Sequence, residues 1–205
     1  MSKADLHEKH KVILAQERMW AHAVARNAVK ARPISVWEVM IPVLLIFSYM
    51  HSKSGKDVFV QNLLFTKELA LKASLEMERN GRDRKEALRA VEEKTRALLT
   101  SVQEGIYSEE IRHKQLKEIH LLLDHYRVLL NTEAGDYGAL IVGAYKQIEP
   151  YRHFLDQLSK AEKEVHQAAL KTLGEKGDPA LVSRMEACMD GFRKDAALRI
   201  FGNTS

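Results

Sequence analysis

Residues 108–130 read SEEIRHKQLKEIHLLLDHYRVLL. Ser108 is a strong N-cap residue, and Glu109 and Glu110 stand in the first turn, where the helix dipole favours acids. Leu116, Ile119, Leu123, Tyr126 and Leu130 then recur at alternating spacings of three and four, which is the seam of a helix packed lengthwise against others. The same signature extends in both directions along the chain. Thr132 opens a segment in which Gly135, Ala139 and Gly143 fall every fourth residue, a nearly bare face that permits close backbone contact with a neighbouring helix. Interior glycines cost a helix roughly 1 kcal/mol each, so that face is expected to gain by packing. Beyond Pro150, the positions Tyr151, Phe154, Leu155, Leu158, Ala161, Val165, Ala169 and Thr172 mark a long amphipathic helix ending at Gly174. Asp178-Pro179 supplies an N-cap and a first-turn proline for a last helix through Leu181, Met185, Cys188, Met189, Phe192 and Ala196.

On the N-terminal side, Asn80-Gly81 is a C-cap signal, and Asp83 opens a helix running through Ala87, Leu88 and Val91 toward Gly105. Asp57 can cap a helix from Val58 to about Asn80, and Leu6, Ile13, Trp20, Val24 and Ala28 mark one over 3–32 that must stop before Pro33. No stretch alternates apolar and polar residues long enough to make a strand. The expected fold is therefore all-α: an irregular antiparallel bundle of six to eight helices with an apolar helical hairpin in its N-terminal third. Its expected parts are an amphipathic helix over 1–33, the hairpin over 34–80 and a helical body over 83–205, as separate units or as one domain.

The run from Val39 to Met50, VMIPVLLIFSYM, departs from this pattern. It is too short for a bilayer span, which needs roughly 20 apolar residues, yet denser in apolar side chains than an ordinary surface helix. Pro42 would kink or divide any helix there. Between Arg18 and Lys56 six basic residues face a single acid, Glu38, so the positive excess of a chain with net charge +4 is concentrated around the run. Glu38 disfavours a single span over 34–50, and the flanking cations lack the asymmetry that orients one. A shallow or re-entrant segment fits the pattern. Trp37, Val43, Leu44, Leu45, Ile46, Phe47 and Tyr49 are its expected membrane contacts, and Arg26, Lys30, Arg32, Lys53 and Lys56 would rest on an anionic surface. The alternative is that the run is a buried core helix or an interface between copies.

Catalytic and cofactor signatures are missing from the sequence, which has no Gly-x-Ser-x-Gly and no glycine-rich phosphate loop; Ser54-Gly55-Lys56 reads as a turn. Glu110, His113, His120 and Asp124 form a stripe that could in principle ligate metal, but a ferritin-like site needs the Glu-x-x-His pair twice and two further glutamates. His7 and His10, with Glu17 two turns beyond, are a weaker set. Nucleic acid is not an expected partner, since neither a helix-turn-helix nor aromatic and basic interleaving is present. The single cysteine, Cys188, suits a reducing compartment, and residues 1–32 lack the apolar core of a secretory signal. The sequence thus suggests a non-enzymatic scaffold on the cytoplasmic face of a membrane, requiring no cofactor and contacting anionic lipid and a protein partner or a second copy. A soluble helical adaptor is the second reading, and a di-metal protein the third.

Overall fold

The computed structural model describes residues 3–28, 55–101 and 107–202, which form seven α-helices. They are α1 (Lys3–Ala28), α2 (Gly55–Asn80), α3 (Arg84–Ser101), α4 (Glu109–Asn131), α5 (Tyr137–Tyr145), α6 (Ile148–Leu173) and α7 (Pro179–Gly202). The all-α bundle expected from the sequence is the fold found. The expectations for Trp37, Val43, Leu44, Leu45, Ile46, Phe47 and Tyr49, and for Lys30, Arg32 and Lys53, fall outside the described residues.

Local chemistry sets the boundaries. Ser108 accepts the Ile111 amide of α4 at 3.3 Å, Asp136 accepts that of Ala139 at 2.9 Å, and Asp178 accepts that of Leu181 at 2.9 Å. Gly174 ends α6 with φ of +56°, a conformation that suits glycine because a Cβ would be strained there. One expected boundary is corrected. Thr132 does not open a helix: its backbone is extended, and the Asp136 cap delays α5 until Tyr137, leaving Gly135 in the connection. Gly135, Ala139 and Gly143 therefore do not form a helix-packing face. Gly135 and Ala139 are exposed, and Gly143 answers to its own loop, since a Cβ there would collide with the Thr132 methyl.

Five long helices close a ring in which α1 packs on α2, α2 on α4, α4 on α6, α6 on α7, and α7 back on α1. Cross-helix bonds fix the directions. Thr66 meets Glu118 and Ser74 meets the Leu123 carbonyl, so α2 and α4 run parallel. Lys114 meets Glu164 while Lys171 meets Glu110, so α6 opposes α4. Arg184 meets the Ala28 carbonyl and Tyr126 meets Glu17, so α1 opposes both α7 and α4. Helix α3 lies outside against α2 and α4, and α5 covers the end where α4 stops and α6 begins.

A single apolar cluster draws buried residues from all seven helices, among them Ile13, Leu71, Val91, Leu123, Leu140, Leu158 and Ala197. A second lies toward the opposite end, where Val24 and Ala28 of α1 meet Phe59 and Val60 of α2 and Leu181 and Met185 of α7. At roughly 1.5–3 kcal/mol for each fully buried large aliphatic or aromatic side chain, these clusters supply the main driving force for the fold. Among the described residues no helix is long and apolar enough to cross a membrane.

Candidate functional site

Between the apolar layers the ring is not apolar. Glu17 of α1, Lys67 of α2, Glu118 of α4 and Arg193 of α7 are each 2–4% exposed, and Glu162 of α6 is nearly as enclosed. Every helix of the ring contributes one charge. Arg193 grips Glu162 with both terminal nitrogens, at 2.5 and 2.7 Å, and Lys67 reaches the same carboxylate at 3.2 Å and Glu17 at 3.6 Å. Tyr126 donates to Glu17 at 3.0 Å, and Thr66 donates to Glu118 at 2.6 Å.

Taking an ion from water costs several kcal/mol, which only good pairing recovers, and well-packed apolar residues in the same places are often at least as stable. The layer is therefore a poor way to gain stability and a good place to look for specificity or function. Its members differ in how firmly they hold their charge. Burial opposes the charge of Glu162, but Arg193 and Lys67 outweigh it and lower its pKa. Burial likewise opposes the charge of Lys67, and Glu17 and Glu162 outweigh it and raise its pKa. Glu118 goes the other way. Burial, followed by the negative charge of Glu162, pushes it up to about 7, against the smaller pulls of Lys67, the Thr66 hydroxyl and His166. Glu118 is thus the member of the layer whose charge changes near neutral pH.

A cavity of about 40 Å³ opens beside it, bounded by α2, α4, α6 and α7. Around its wall His166 Nδ1 lies 2.8 Å from Glu186, Lys163 and Ser159 both donate to Asp190, and Gln115 accepts the Tyr107 hydroxyl at 2.7 Å. A space of that size holds a few water-sized groups.

The stripe expected to be the weak metal candidate is dispersed. Glu110 pairs with Lys171 at 2.9 Å, and Asp124 takes both Nε and Nη2 of Arg84 at 3.1 and 2.8 Å. His113 is exposed. His120 is half-buried with Nε2 unbonded, its pKa lowered by burial and then by Arg84. His7 and His10 stack with ring centroids 6.4 Å apart. Among the described residues no group of three or more His, Cys, Asp or Glu side chains could hold a metal ion.

The expected lipid-facing stretch is bracketed by well-ordered structure. Helix α1 ends and α2 begins side by side, joined through Val24, Ala28, Phe59 and Val60, and Arg184 of α7 donates to the Ala28 carbonyl at 3.2 Å. The end of α1 and the start of α2 therefore lie at one end of the bundle. Arg26 and Lys56 are exposed there, as are the acids Asp57, Glu109 and Glu110 of neighbouring helix starts.

Sequence reasoning passed over the charge layer, although a signal was present. Glu17 fills the gap between Ile13 and Trp20, Lys67 that between Leu64 and Leu71, Glu162 that between Leu158 and Val165, and Arg193 that between Met189 and Ala196. Each is an ion standing in register on an apolar stripe. No protein family, no curated protein and no solved structure matches the chain.

Proposed function

We propose that the protein is a helical scaffold that associates with the cytoplasmic face of a membrane through residues 34–50, with the bundle presented to a partner. One observation carries the reading: the two helices flanking the apolar stretch are antiparallel, and the end of α1 lies beside the start of α2 at one end of the bundle. A stretch too short to span but obliged to return fits shallow insertion better than crossing. The charge layer supports it indirectly. Glu17 and Lys67 set the register of α1 on α2, and Arg193 ties α7 to the same point, which holds the two departure points in fixed relation. The acids at that end offset part of the cationic excess, so apolar insertion outweighs attraction to anionic headgroups in this reading.

Fractionation of producing cells tests it. Retention in the membrane pellet through high salt and alkaline carbonate, with release by mild detergent, is the expected result. Recovery in the soluble fraction would overturn the reading in favour of the adaptor, with 34–50 as core or as an interface between copies. Leu44→Lys with Ile46→Lys should abolish pelleting and leave helical circular dichroism unchanged; unfolding of that variant would make the run a core element.

A further inference from the structure

The wall of the cavity between α2, α4, α6 and α7 is rich in carboxylates. Lys67 donates to Glu162, Lys163 and Ser159 donate to Asp190, and Thr66 donates to Glu118. A carboxylate offers about four lone-pair positions. Asp190 receives two bonds here, and Glu118 and Glu186 one each. An occupant with hydrogen-bond donors of its own suits these acceptors.

Charge points the same way. Lys67 of α2 and Arg193 of α7 balance Glu17 of α1 and Glu162 of α6, and Lys163 balances Asp190. His166 and Glu186 face each other across α6 and α7. Glu118 on α4, whose helix otherwise gives the wall only the neutral Gln115, has no cation in direct contact among the described residues, and Lys67 and His166 act on it from farther away. A divalent metal is excluded by geometry, because two fixed cations already crowd these carboxylates and among the described residues no three ligands converge. The space of about 40 Å³ suits a small group.

We propose that this cavity binds a small monocation that donates hydrogen bonds, ammonium or the head of a primary amine, with Glu118 as its carboxylate partner. Binding then exchanges one cation for one proton: the ammonium enters still protonated, the Glu118 carboxyl ionises, and its proton goes to solvent. Because the Glu118 carboxyl titrates at about 7, that exchange is accessible at neutral pH.

The test is titration of the full chain with methylammonium chloride at pH 7 in weak buffer, reading proton release, with the Glu118 carboxyl followed by carbon-13 NMR. Tetramethylammonium and sodium at equal ionic strength are the controls, since they carry the same charge and no donors. Methylammonium is expected to saturate, to release up to about half a proton per chain, and to shift the Glu118 midpoint downward, while the controls do neither. Glu118→Gln, checked for native circular dichroism, should weaken binding at least tenfold. Equal proton release by methylammonium and the controls would overturn the proposal, as would unchanged affinity in a folded Glu118→Gln chain. If that variant does not fold, the comparison of cations on the unaltered protein decides.

Discussion

Glu118 and His125 stand seven residues apart on α4, about 10 Å along the same helix, and both are fully enclosed in the ring. Their surroundings differ. Glu118 lies among ions and hydroxyls, whereas His125 stacks on Phe154 with ring centroids 4.1 Å apart and places Nδ1 2.7 Å from the Tyr145 hydroxyl. Burial, with Glu162 beside it, raises Glu118 to about 7. Burial, with Lys67 and Arg193 behind it, lowers His125 to about 3. Enclosure favours the neutral form of each, so one site gains a proton and the other sheds one. The bundle thus holds two groups of opposite titration sense, and Lys67 sharpens one and blunts the other.

The comparison breaks most completely if the layer loses a cation. Arg193→Met keeps much of the aliphatic stem but leaves Glu162 with Lys67 alone, and removing one partner of a buried ion pair costs about 3–5 kcal/mol. Urea denaturation at neutral pH should show a loss of that size in the midpoint stability. A loss under about 1 kcal/mol would mean that the layer is solvated rather than sealed.

The next test separates the two titrations. Glu118 binds its proton more tightly in the folded than in the unfolded chain, so its contribution is complete below about pH 4.5 and is lost as pH rises toward about 7. His125 binds its proton less tightly when folded, so its contribution is complete above about pH 6.5 and is lost as pH falls toward about 3. Between pH 4.5 and 6.5 the slopes of these two groups oppose and offset each other. Relative to the unaltered chain, Glu118→Gln should tilt the profile toward loss of stability with acid and His125→Phe toward loss with base, each by about 3 kcal/mol across that window. Parallel slopes in the two variants would refute the assignment. Within the aromatic site, Tyr145→Phe removes the hydroxyl facing His125 Nδ1, and a cost of about 1–2 kcal/mol in the same denaturation assay is expected.

The helices were legible because caps and stripes are local. Ser108, Asp178 and Gly174 act where the sequence puts them, and Ile119, Leu123, Tyr126 and Leu130 are completely buried. Thr132 misled because a threonine can cap a helix or end one, and the choice lay with Asp136 four residues later. The charge layer was missed for a deeper reason. Glu17, Lys67, Glu162 and Arg193 each look like one flaw in an otherwise apolar stripe, and only the ring shows that the five interruptions, Glu118 included, meet at one level. Periodicity reports which face a residue occupies and is silent on the height at which helices register.

The smallest expected effect sharpens the contrast most directly, because it repeats the same bond chemistry in water. Arg84 holds Asp124 through two nitrogens much as Arg193 holds Glu162, but the side chains of that pair are 40% and 56% exposed. Solvent screens the attraction, and ordering two long side chains offsets much of the remainder. Arg84→Ala should therefore cost less than about 1 kcal/mol, several-fold below Arg193→Met, and added salt should shrink that cost further while leaving the buried pair largely unscreened. If Arg84→Ala instead matched Arg193→Met, geometry rather than burial would govern these pairs. The layer inside the ring would then have no claim to special strength, and its resistance to salt would vanish with it.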